Sequence, residues 1–330
     1  MGLLLICGIF FATGVTYYLV RPGQSDAMDQ VFCVREGMSL KDVVGELEKY
    51  QLIRGKRLFL LYARVMGYSK RIKAGEYRLN PDMPPLKILD RLGNGAIITH
   101  AATIPEGFTR EQIGGLLARK GLVNLDEFMA LTGDPEAAKR YQIDGPDLEG
   151  YLYPDTYQFS RGLSTAKIVD VMVSRFFEVY KPLEQQAKAT GMSMEKVVTL
   201  ASIVEKETGC ASERPIIASV FLNRLRKKMR LESDPTVIYG LQDFDGNLKR
   251  KHLSQKTPYN TYVIRGLPPG PIASPGFEAL KAVLFPAKTN YRYFVSKNDG
   301  THFFSETYAE HINAVKQYQK NRRRRAKRTS

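Results

Sequence analysis

The amino-acid sequence predicts an α+β protein with an N-terminal membrane anchor, a small α+β module and a mixed, mainly helical domain. Three observations support this prediction. The first 20 residues carry no charged side chain. The following stretch, to about residue 100, alternates capped amphipathic helices with short extended segments, and the chain from residue 124 to about residue 286 follows a helical period.

The length and composition allow about two domains with a substantial hydrophobic core. The chain has 330 residues, of which 43% are hydrophobic. Its three cysteines, Cys7, Cys33 and Cys210, show neither CxxC spacing nor close pairing. This pattern disfavours both a disulfide framework and a zinc ribbon.

Residues 1–20, "MGLLLICGIFFATGVTYYLV", are interpreted as a single transmembrane anchor. At about 1.5 Å of rise per residue, such a helix just crosses a hydrocarbon layer of about 30 Å. A cleaved signal peptide is the alternative, but the segment lacks a basic n-region and a small-x-small site before Pro22. The flanking charge of Arg21 favours a cytoplasmic body by the positive-inside rule. The short leading anchor resembles a signal-anchor, which favours the opposite orientation. We therefore expect the rest of the protein to lie outside the cytoplasm.

The C-terminal residues 320–330, "KNRRRRAKRTS", contribute seven positive charges to a net charge of +15. Such a run is typical of a solvated, disordered tail. Anionic lipid, an anionic wall polymer or nucleic acid would attract it. No aromatic residue is interleaved with the charges, so we expect no nucleic-acid partner.

The small module begins with a capped helix that has a counterpart 70 residues later. In the first helix Ser39 is a candidate cap, Asp42 follows three residues on, and apolar residues then recur at helical spacing. A shift of 70 residues aligns "REGMSLKDVVGELEKYQLI" with "PEGFTREQIGGLLARKGLV". Both copies turn at a Glu-Gly pair before the helix, which indicates a weak internal repeat. General similarity between capped helices is the alternative explanation.

Further elements follow from local patterns. "KRLFLLYARVMG" predicts a helix, "AGEYRL" a strand, and "PLKILDRLGNG" a helix closed by Gly93. "YRYFVSKNDGTHFF" predicts a hairpin that turns at residues 298–300, and "SETYAEHINAVKQYQ" predicts a closing helix.

The inventory of reactive groups is short. The four histidines show no HExxH or other metal-ligand spacing, and neither a GxSxG elbow nor a Walker loop occurs. We therefore expect no metal and no cofactor. Carboxylates and tyrosines remain as the chemical groups.

Two glutamates, Glu205 and Glu207, stand near the end of the predicted helix "MEKVVTLASIVEKETG". At 100° per residue, Glu207 lies between the directions of Leu200 and Ile203, whereas Glu205 points about 160° away. Glu205 also has apolar neighbours, so periodicity alone does not choose between them.

The position of Glu207 at the helix end favours a raised pKa. Gly209 is a natural C′ residue, which places Glu207 in the last helical turn. The negative end of the helix dipole and partial burial both disfavour its ionised form. A general acid that works near neutral pH needs such a pKa. A structural, salt-bridged glutamate fits these residues equally well.

Other polar and aromatic motifs have two readings each. In "LEGYLYPDTYQF", Tyr151 and Tyr153 begin an aromatic, period-two face that is either core or a wall for stacking sugar rings. Asp234 precedes a proline and is interpreted as a helix N-cap. Asn260 and Tyr262 precede a proline-rich loop, residues 267–276, which either lines a site or is simply rigid.

Several of these motifs occur together in one known family. "EGYLYPDTY", "LASIVEKET", "SERPIIASVFLNRL", "SDPTVIYG", "YNTY" and "GLPPGPIASPG" appear in this order, and the chain resembles the endolytic murein transglycosylases, also called YceG-like proteins. The resemblance covers nearly the whole chain. It implies a membrane-anchored enzyme of the bacterial envelope. The family's essential glutamate, the second of the "EKE" triplet, matches Glu207.

The resemblance also implies a domain arrangement. Residues 1–20 would be the transmembrane anchor, residues 28–100 a LysM-like module, and residues 101–319 the YceG-like catalytic domain, with a LysM-like repeat at residues 101–145. The basic tail at residues 320–330 is not part of the family pattern. The expected location is the bacterial inner (cytoplasmic) membrane, with a single pass and a periplasmic catalytic domain.

The implied activity is that of a peptidoglycan lytic transglycosylase, a lyase. It would cleave the β-1,4 bond between N-acetylmuramic acid and N-acetylglucosamine in nascent glycan strands and leave 1,6-anhydro ends. Glu207 would act first as acid and then as base. Asn260 and Tyr262 are expected to orient the N-acetyl groups. Tyr151 and Tyr153 are expected to form a sugar wall, and Glu149 is a reserve acid. The expected partners are glycan strands, the membrane and, as candidates, peptidoglycan synthases.

Two alternatives remain at this point. One is a non-catalytic, peptidoglycan-binding scaffold. The other is a muramidase-type hydrolase, which would need a second carboxylate to activate water or to act as nucleophile. Asp234 as a helix cap and Asp155 in a turn are poor candidates for that second carboxylate.

Overall fold

A computed structural model describes residues 13–21 and 28–320 of the chain. The first part of the predicted anchor, residues 1–12, and residues 321–330 of the predicted basic tail lie outside the described residues, as do residues 22–27. Residues 13–20 are helical and form α1. None of the helices in the described ranges combines the length and the apolar character needed to span a membrane.

The chain divides into two compact units. Unit 1 contains the chain up to Ala102 together with Leu117–Asn124 and Tyr157–Ile168. Unit 2 contains Thr103–Leu116, Leu125–Thr156 and the chain from Val169 onward. Parts of the segment between residues 103 and 168 thus belong to each of the two units.

Unit 1 is built around a three-stranded antiparallel sheet in the order β1-β2-β3, with helices packed on one core. Its elements are β1 (Gln30–Val34), α2 (Leu40–Lys49), α3 (Lys56–Val65), β2 (Gly75–Leu79), α4 (Pro85–Asn94) and β3 (Ile97–Ile98). In the sheet register, Phe32 lies opposite Tyr77, which lies opposite Ile97. The rings of Phe32 and Tyr77 are buried in the core with Leu47 and Phe59.

Local signals set the ends of these elements. The Ser39 side chain and Asp42 form the expected capping box at the start of α2. The helix α4 ends at Gly95, which is left-handed, and not at Gly93 as the sequence predicts. Gly93 lies inside the helix, where a Cβ would approach the Tyr68 ring to 2.8 Å. Close packing against Tyr68 therefore explains the glycine at position 93, and the left-handed backbone explains the glycine at position 95.

The repeat predicted from the 70-residue shift has matching local geometry. Gly37 and Gly107 are both left-handed, with φ of 85° and 75°. The helix α2 (Leu40–Lys49) corresponds residue for residue to α5 (Arg110–Arg119). At the start of α5, Thr109 and Gln112 exchange two hydrogen bonds as a second capping box. Resemblance of either copy to LysM stays a prediction.

The remaining elements are mostly helical, as expected. They are β4 (His100–Thr103), α6 (Leu125–Thr132), α7 (Pro135–Arg140), β5 (Thr156–Phe159), α8 (Thr165–Tyr180), α9 (Glu184–Thr190), α10 (Met194–Glu207), α11 (Arg214–Arg226), α12 (Asp234–Tyr239), α13 (Arg250–Leu253), α14 (Phe277–Leu284), β6 (Tyr293–Ser296), β7 (His302–Ser305) and α15 (Tyr308–Val315). The strands β4 and β5 form a two-stranded sheet. The predicted hairpin is confirmed: β6 and β7 are antiparallel, with left-handed Asn298 and Gly300 in the turn.

The helix α10 is the centre of unit 2. Ser193 caps its first turn, and eight consecutive residues from Val197 to Val204 are buried. A helix that is apolar on all sides must be surrounded, and α10 packs against α11, α12 and α14. The sequence predicts only one apolar arc. Because α10 is surrounded, the environment of a side chain at its end depends on which neighbour it meets.

Candidate active site

The helix α10 ends at Glu207, whose side chain lines a pocket in unit 2. Glu207 is its last residue, and the extended backbone of Thr208, with φ of −146° and ψ of 137°, ends the helix. The left-handed cap expected at Gly209 does not form. The pocket has a volume of about 220 Å³. It is lined by Glu207, Arg224, Leu231, Glu232, Asp234, Tyr262, Phe294 and His311.

The carboxyl group of Glu207 has one close hydrogen-bond partner. The Ser233 hydroxyl donates to its Oε1 at 2.5 Å. Burial raises the pKa of Glu207 to about 7, and the negative charge of Asp234 also raises it. The Ser233 hydrogen bond and the positive charge of Arg224 act in the opposite direction. The pKa is therefore raised, as the sequence predicts, and Glu207 can both give and take a proton near neutral pH.

A buried set of hydroxyl groups holds Ser233 in place. The Ser233 amide donates to Thr261 Oγ1 at 3.0 Å, and Thr236 Oγ1 donates to the Ser233 carbonyl at 2.7 Å. The hydroxyls of Thr236 and Thr261 also contact each other at 2.8 Å. The preceding residue, Glu232, is left-handed with φ of 49°. Backbone strain of this kind tends to occur at functional sites, and here it lies directly beside the contact to Glu207.

Asp234 is not the helix cap that the sequence predicts. Ser233 occupies the N-cap position of α12, and Asp234 is the first helical residue. Its side chain is exposed, lines the pocket and accepts a hydrogen bond from the Tyr262 hydroxyl at 2.7 Å. The structure therefore places Asp234, like Glu232, as a further carboxylate in the pocket of Glu207. The one-residue difference in the cap position is the reason, because the first helical residue does not need to use its side chain as the N-cap.

Tyr262 lies in the pocket, whereas Asn260 supports the loop behind it. Asn260 is fully buried, and its side-chain amide donates to the carbonyls of His252, Leu253 and Gln255. Its side-chain oxygen accepts the Tyr262 amide at 3.0 Å. With its polar atoms used in this way, Asn260 orients the segment that carries Tyr262. The structure thus corrects the expectation that Asn260 itself contacts an N-acetyl group.

Glu205 has a different environment from Glu207. Arg214 donates to its Oε1 at 2.8 Å, and the Gly276 amide donates to its Oε2 at 3.1 Å. Both carboxylate oxygens are occupied, and the side chain is 6% exposed. The alternative of a structural, salt-bridged glutamate therefore applies to Glu205. Glu207 is the glutamate of the pair that faces a cavity.

Nothing in the sequence indicates Ser233, which donates to Glu207, or several residues that line the pocket, among them Arg224 and His311. Ser233 belongs to the "SDP" motif, in which the sequence analysis considered only Asp234. Arg224 donates to the carbonyls of Arg292 and Leu231 and gives no distinctive sequence signal. His311 lies on α15. Its pKa is lowered mainly by burial and also by the positive charge of Arg224. Their positions depend on the packing of α11, α15 and the β6-β7 hairpin.

The other expected site residues do not line this pocket. Tyr151 lies in a turn and not on an extended face, because β5 begins only at Thr156. Tyr151 is 1% exposed and packs edge-on against Phe176, and Tyr153 is 7% exposed. Rings so deeply buried offer no face to a sugar. The core alternative is correct for both tyrosines.

Glu149 has a structural environment. It is 2% exposed and accepts the Arg110 amide on both oxygens, at 3.0 and 3.1 Å. The Tyr239 hydroxyl donates to it as well. Burial raises its pKa to about 7, but Glu149 does not line the pocket of Glu207. It satisfies the backbone N–H of Arg110, one of the donors that the start of α5 leaves without a partner inside the helix.

The fold and the pocket together define a class of protein. One carboxylic acid with a pKa near neutrality, beside a second carboxylate, a tyrosine and an arginine, is typical of enzymes that transfer protons to and from a substrate. The model of the YceG-like family matches residues 32–317. The chain belongs to the YceG-like family.

Named relatives agree with this assignment. The chain is 32% identical, over 331 residues, to the endolytic murein transglycosylase of Bacillus subtilis, with 95% of this chain and 91% of that protein covered. It is 27% identical, over 317 residues, to the endolytic murein transglycosylase of Streptococcus pneumoniae, with 86% and 57% covered. A crystal structure of a yceG-like protein from Listeria monocytogenes has a TM-score of 0.61 and 33% identity. It covers 88% of this chain and 100% of that one.

Proposed function

We propose that this protein is an endolytic murein transglycosylase, a lyase that cuts peptidoglycan glycan strands between N-acetylmuramic acid and N-acetylglucosamine. The observation that carries the proposal is the Glu207 carboxyl group, which lines a polar pocket with a pKa of about 7. The relatives that bear this enzyme name match the chain over most of its length.

The reaction uses Glu207 twice. The protonated carboxyl gives its proton to the glycosidic oxygen, and the bond between that oxygen and C1 of the muramic acid breaks. The ionised carboxyl then takes the proton of the C6 hydroxyl, whose oxygen forms a new bond to C1. The product is a 1,6-anhydro ring, no water is consumed, and Glu207 regains its proton. A group whose pKa lies near the working pH suits both steps. The C6 hydroxyl has the advantage of belonging to the same molecule.

A muramidase-type hydrolase is the second candidate, and one observation favours it. Asp234 lies in the same pocket as Glu207, so a second carboxylate is present after all. Hydrolysis would leave reducing ends, whereas the transglycosylase reaction leaves 1,6-anhydro ends that are lighter by one water and do not react with borohydride. A scaffold that only binds glycan would leave no new ends.

The test is mass spectrometry of glycan fragments released from purified sacculi by the wild-type protein, Glu207→Gln and Glu205→Gln. We expect anhydro ends from wild type and none from Glu207→Gln, which keeps the shape of the side chain but cannot deliver a proton. Glu205→Gln serves as the matched control from the same helix, compared at equal amounts of folded protein. Reducing ends as the main product would favour the hydrolase. Disaccharides as the main product would contradict only the endolytic mode.

The cellular arrangement forms the second part of the proposal. Residues 1–20 serve as a single-pass anchor in the bacterial inner membrane, residues 28–100 form a LysM-like module, and the catalytic domain is periplasmic. Peptidoglycan synthases are the candidate partners, because they produce nascent strands at the same surface. A reporter fused after Ser330 should be active only outside the cytoplasm, with the protein retained in the membrane. A cytoplasmic signal would contradict the proposal, because mature glycan strands lie outside the membrane.

A further inference from the structure

The carboxylate of Asp234 is held by the protein at only one of its two oxygens in the pocket of Glu207. It is exposed and forms no cap bond at the start of α12. The Tyr262 hydroxyl donates to its Oδ1 at 2.7 Å. Within residues 13–21 and 28–320, no hydrogen bond or salt bridge involves its Oδ2. One oxygen is therefore oriented by the protein, and the other is available to a bound molecule.

Among the described residues, no salt bridge joins the carboxylate of Asp234 to Arg224, the arginine that lines the same pocket. Arg224 lines the same pocket, but its guanidinium donates to the carbonyls of Arg292 and Leu231 at 2.6 and 2.7 Å. Its ion pair is with Glu232, at 3.3 Å. Asp234 consequently keeps an uncompensated charge beside Glu207, and that charge helps to keep the Glu207 carboxyl protonated.

We propose that Asp234 is a second catalytic carboxylate, which stabilises the positive charge that develops at the anomeric carbon of the substrate, and that Tyr262 is its positioning residue. This inference rests on the proposed transglycosylase function. When Glu207 gives its proton to the leaving oxygen, C1 acquires the character of an oxocarbenium ion. A fixed negative charge that is present before the reaction lowers the energy of that transition state.

The two carboxyl groups then have separate tasks. Glu207, which is half-buried and has a raised pKa, is the proton donor, and the exposed carboxylate of Asp234 supplies negative charge. Asp234 forms no bond to C1, because the C6 hydroxyl supplies the new bond in the proposed reaction. The division follows from environment, because burial and the negative charge of Asp234 both raise the pKa of Glu207.

The test uses full-length protein in detergent and soluble, uncross-linked glycan strands, with kcat and KM measured from pH 4 to 9. The variants are Asp234→Asn and Tyr262→Phe. Asp243→Asn is the matched control, because it is the same substitution at an exposed position that does not line the pocket. We expect kcat at the pH optimum to fall roughly 100-fold in Asp234→Asn. A fall of roughly 10-fold is expected in Tyr262→Phe, with thermal melting unchanged in both.

The pH profile separates a catalytic role from a structural one. Glu207 must be protonated to act as acid, so wild-type kcat should decline as pH rises through about 7. Without the charge of Asp234 the pKa of Glu207 falls, and this decline should move to lower pH. The other titratable and charged groups that face Glu207 in the pocket remain in the variant; they are Arg224, Glu232, Tyr262 and His311.

The outcomes are distinct. Anhydro ends from wild type, with kcat of Asp234→Asn within about twofold of wild type or with only KM raised, would overturn the role of Asp234 and leave the proposed function standing. If Asp234→Asn does not fold, an unchanged kcat and pH profile of Tyr262→Phe would overturn the inference in its place. A wild-type protein that yields no anhydro ends would refute the proposed function and this inference with it.

Discussion

Removal of the Ser233 hydroxyl should move the pH dependence of activity upward. This hydroxyl donates to Glu207 Oε1 at 2.5 Å and thereby stabilises the ionised carboxylate, which lowers the pKa of Glu207 relative to burial alone. Ser233→Ala removes the donor and should raise that pKa. A hydrogen bond to a charged group contributes about 1.5–3 kcal/mol. One pKa unit corresponds to about 1.36 kcal/mol, so the rise should be about 1–2 units.

The assay has two readouts. The decline of kcat with rising pH, expected near pH 7 in the wild type, should move to higher pH in Ser233→Ala. A carbon-13 NMR titration of the Glu207 carboxyl should show the same displacement directly. The direction is opposite to that expected for Asp234→Asn, so the two variants check the sign of each contribution. At the optimum, kcat should fall about 10-fold, because Oε1 is no longer held in one orientation.

Ser219→Ala is the matched control for this experiment. Ser219 is also buried, but its hydroxyl contacts Thr289 Oγ1 at 2.8 Å and it does not line the pocket. Its pH profile should match that of the wild type. An unchanged or lowered pKa of Glu207 in Ser233→Ala would refute the reasoning that this hydrogen bond stabilises the ionised state.

Three further outcomes follow from the contacts around the site. Glu205→Gln should lower the free energy of unfolding by about 2 kcal/mol, because it weakens the buried contact to Arg214, whose charge keeps only the more exposed Glu106 as ion-pair partner; a urea titration showing less than about 1 kcal/mol would contradict this. Tyr151→Phe should unfold at the same or higher urea concentration and cleave glycan normally, because the buried Tyr151 hydroxyl has no hydrogen-bond partner among the described residues. A loss of cleavage there would restore the sugar-wall role. Asn260→Ala should cost about 2 kcal/mol, since three carbonyls lose their donor; a melt equal to wild type would show that the loop does not need this amide.

Local signals in the sequence predicted much of the secondary structure. The capping box of Ser39 with Asp42, the turns at Gly37 and Gly107, and the turn at residues 298–300 all form as expected. Each depends on groups a few residues apart, so the unfolded chain already contains the information. The errors at Gly93 and Gly209 have separate reasons. A glycine can be present because close packing leaves no room for a side chain, as at Gly93, and a helix can end before it reaches a glycine, as it does before Gly209.

The site was only partly predictable. The helix-end argument and the family motif both chose Glu207 over Glu205, and the structure gives the two glutamates different surroundings. The aromatic segment at residues 148–159 failed as a guide to the site. Period-two spacing is the same for a strand that lines a groove and for a buried turn, so it could not show that Tyr151 and Tyr153 belong to the core.

The sequence by itself determined the family, the order of helices and strands in most of the chain, and the identity of the principal acid candidate. The tertiary structure decided what surrounds that acid. The Ser233 hydroxyl comes from 26 residues further along the chain, and the Tyr262 hydroxyl reaches Asp234 from 28 residues away. A pKa depends on burial and on charges within a few ångströms, whatever their separation in the chain. Only the folded packing of α10, α11, α12 and α15 brings those groups to that distance.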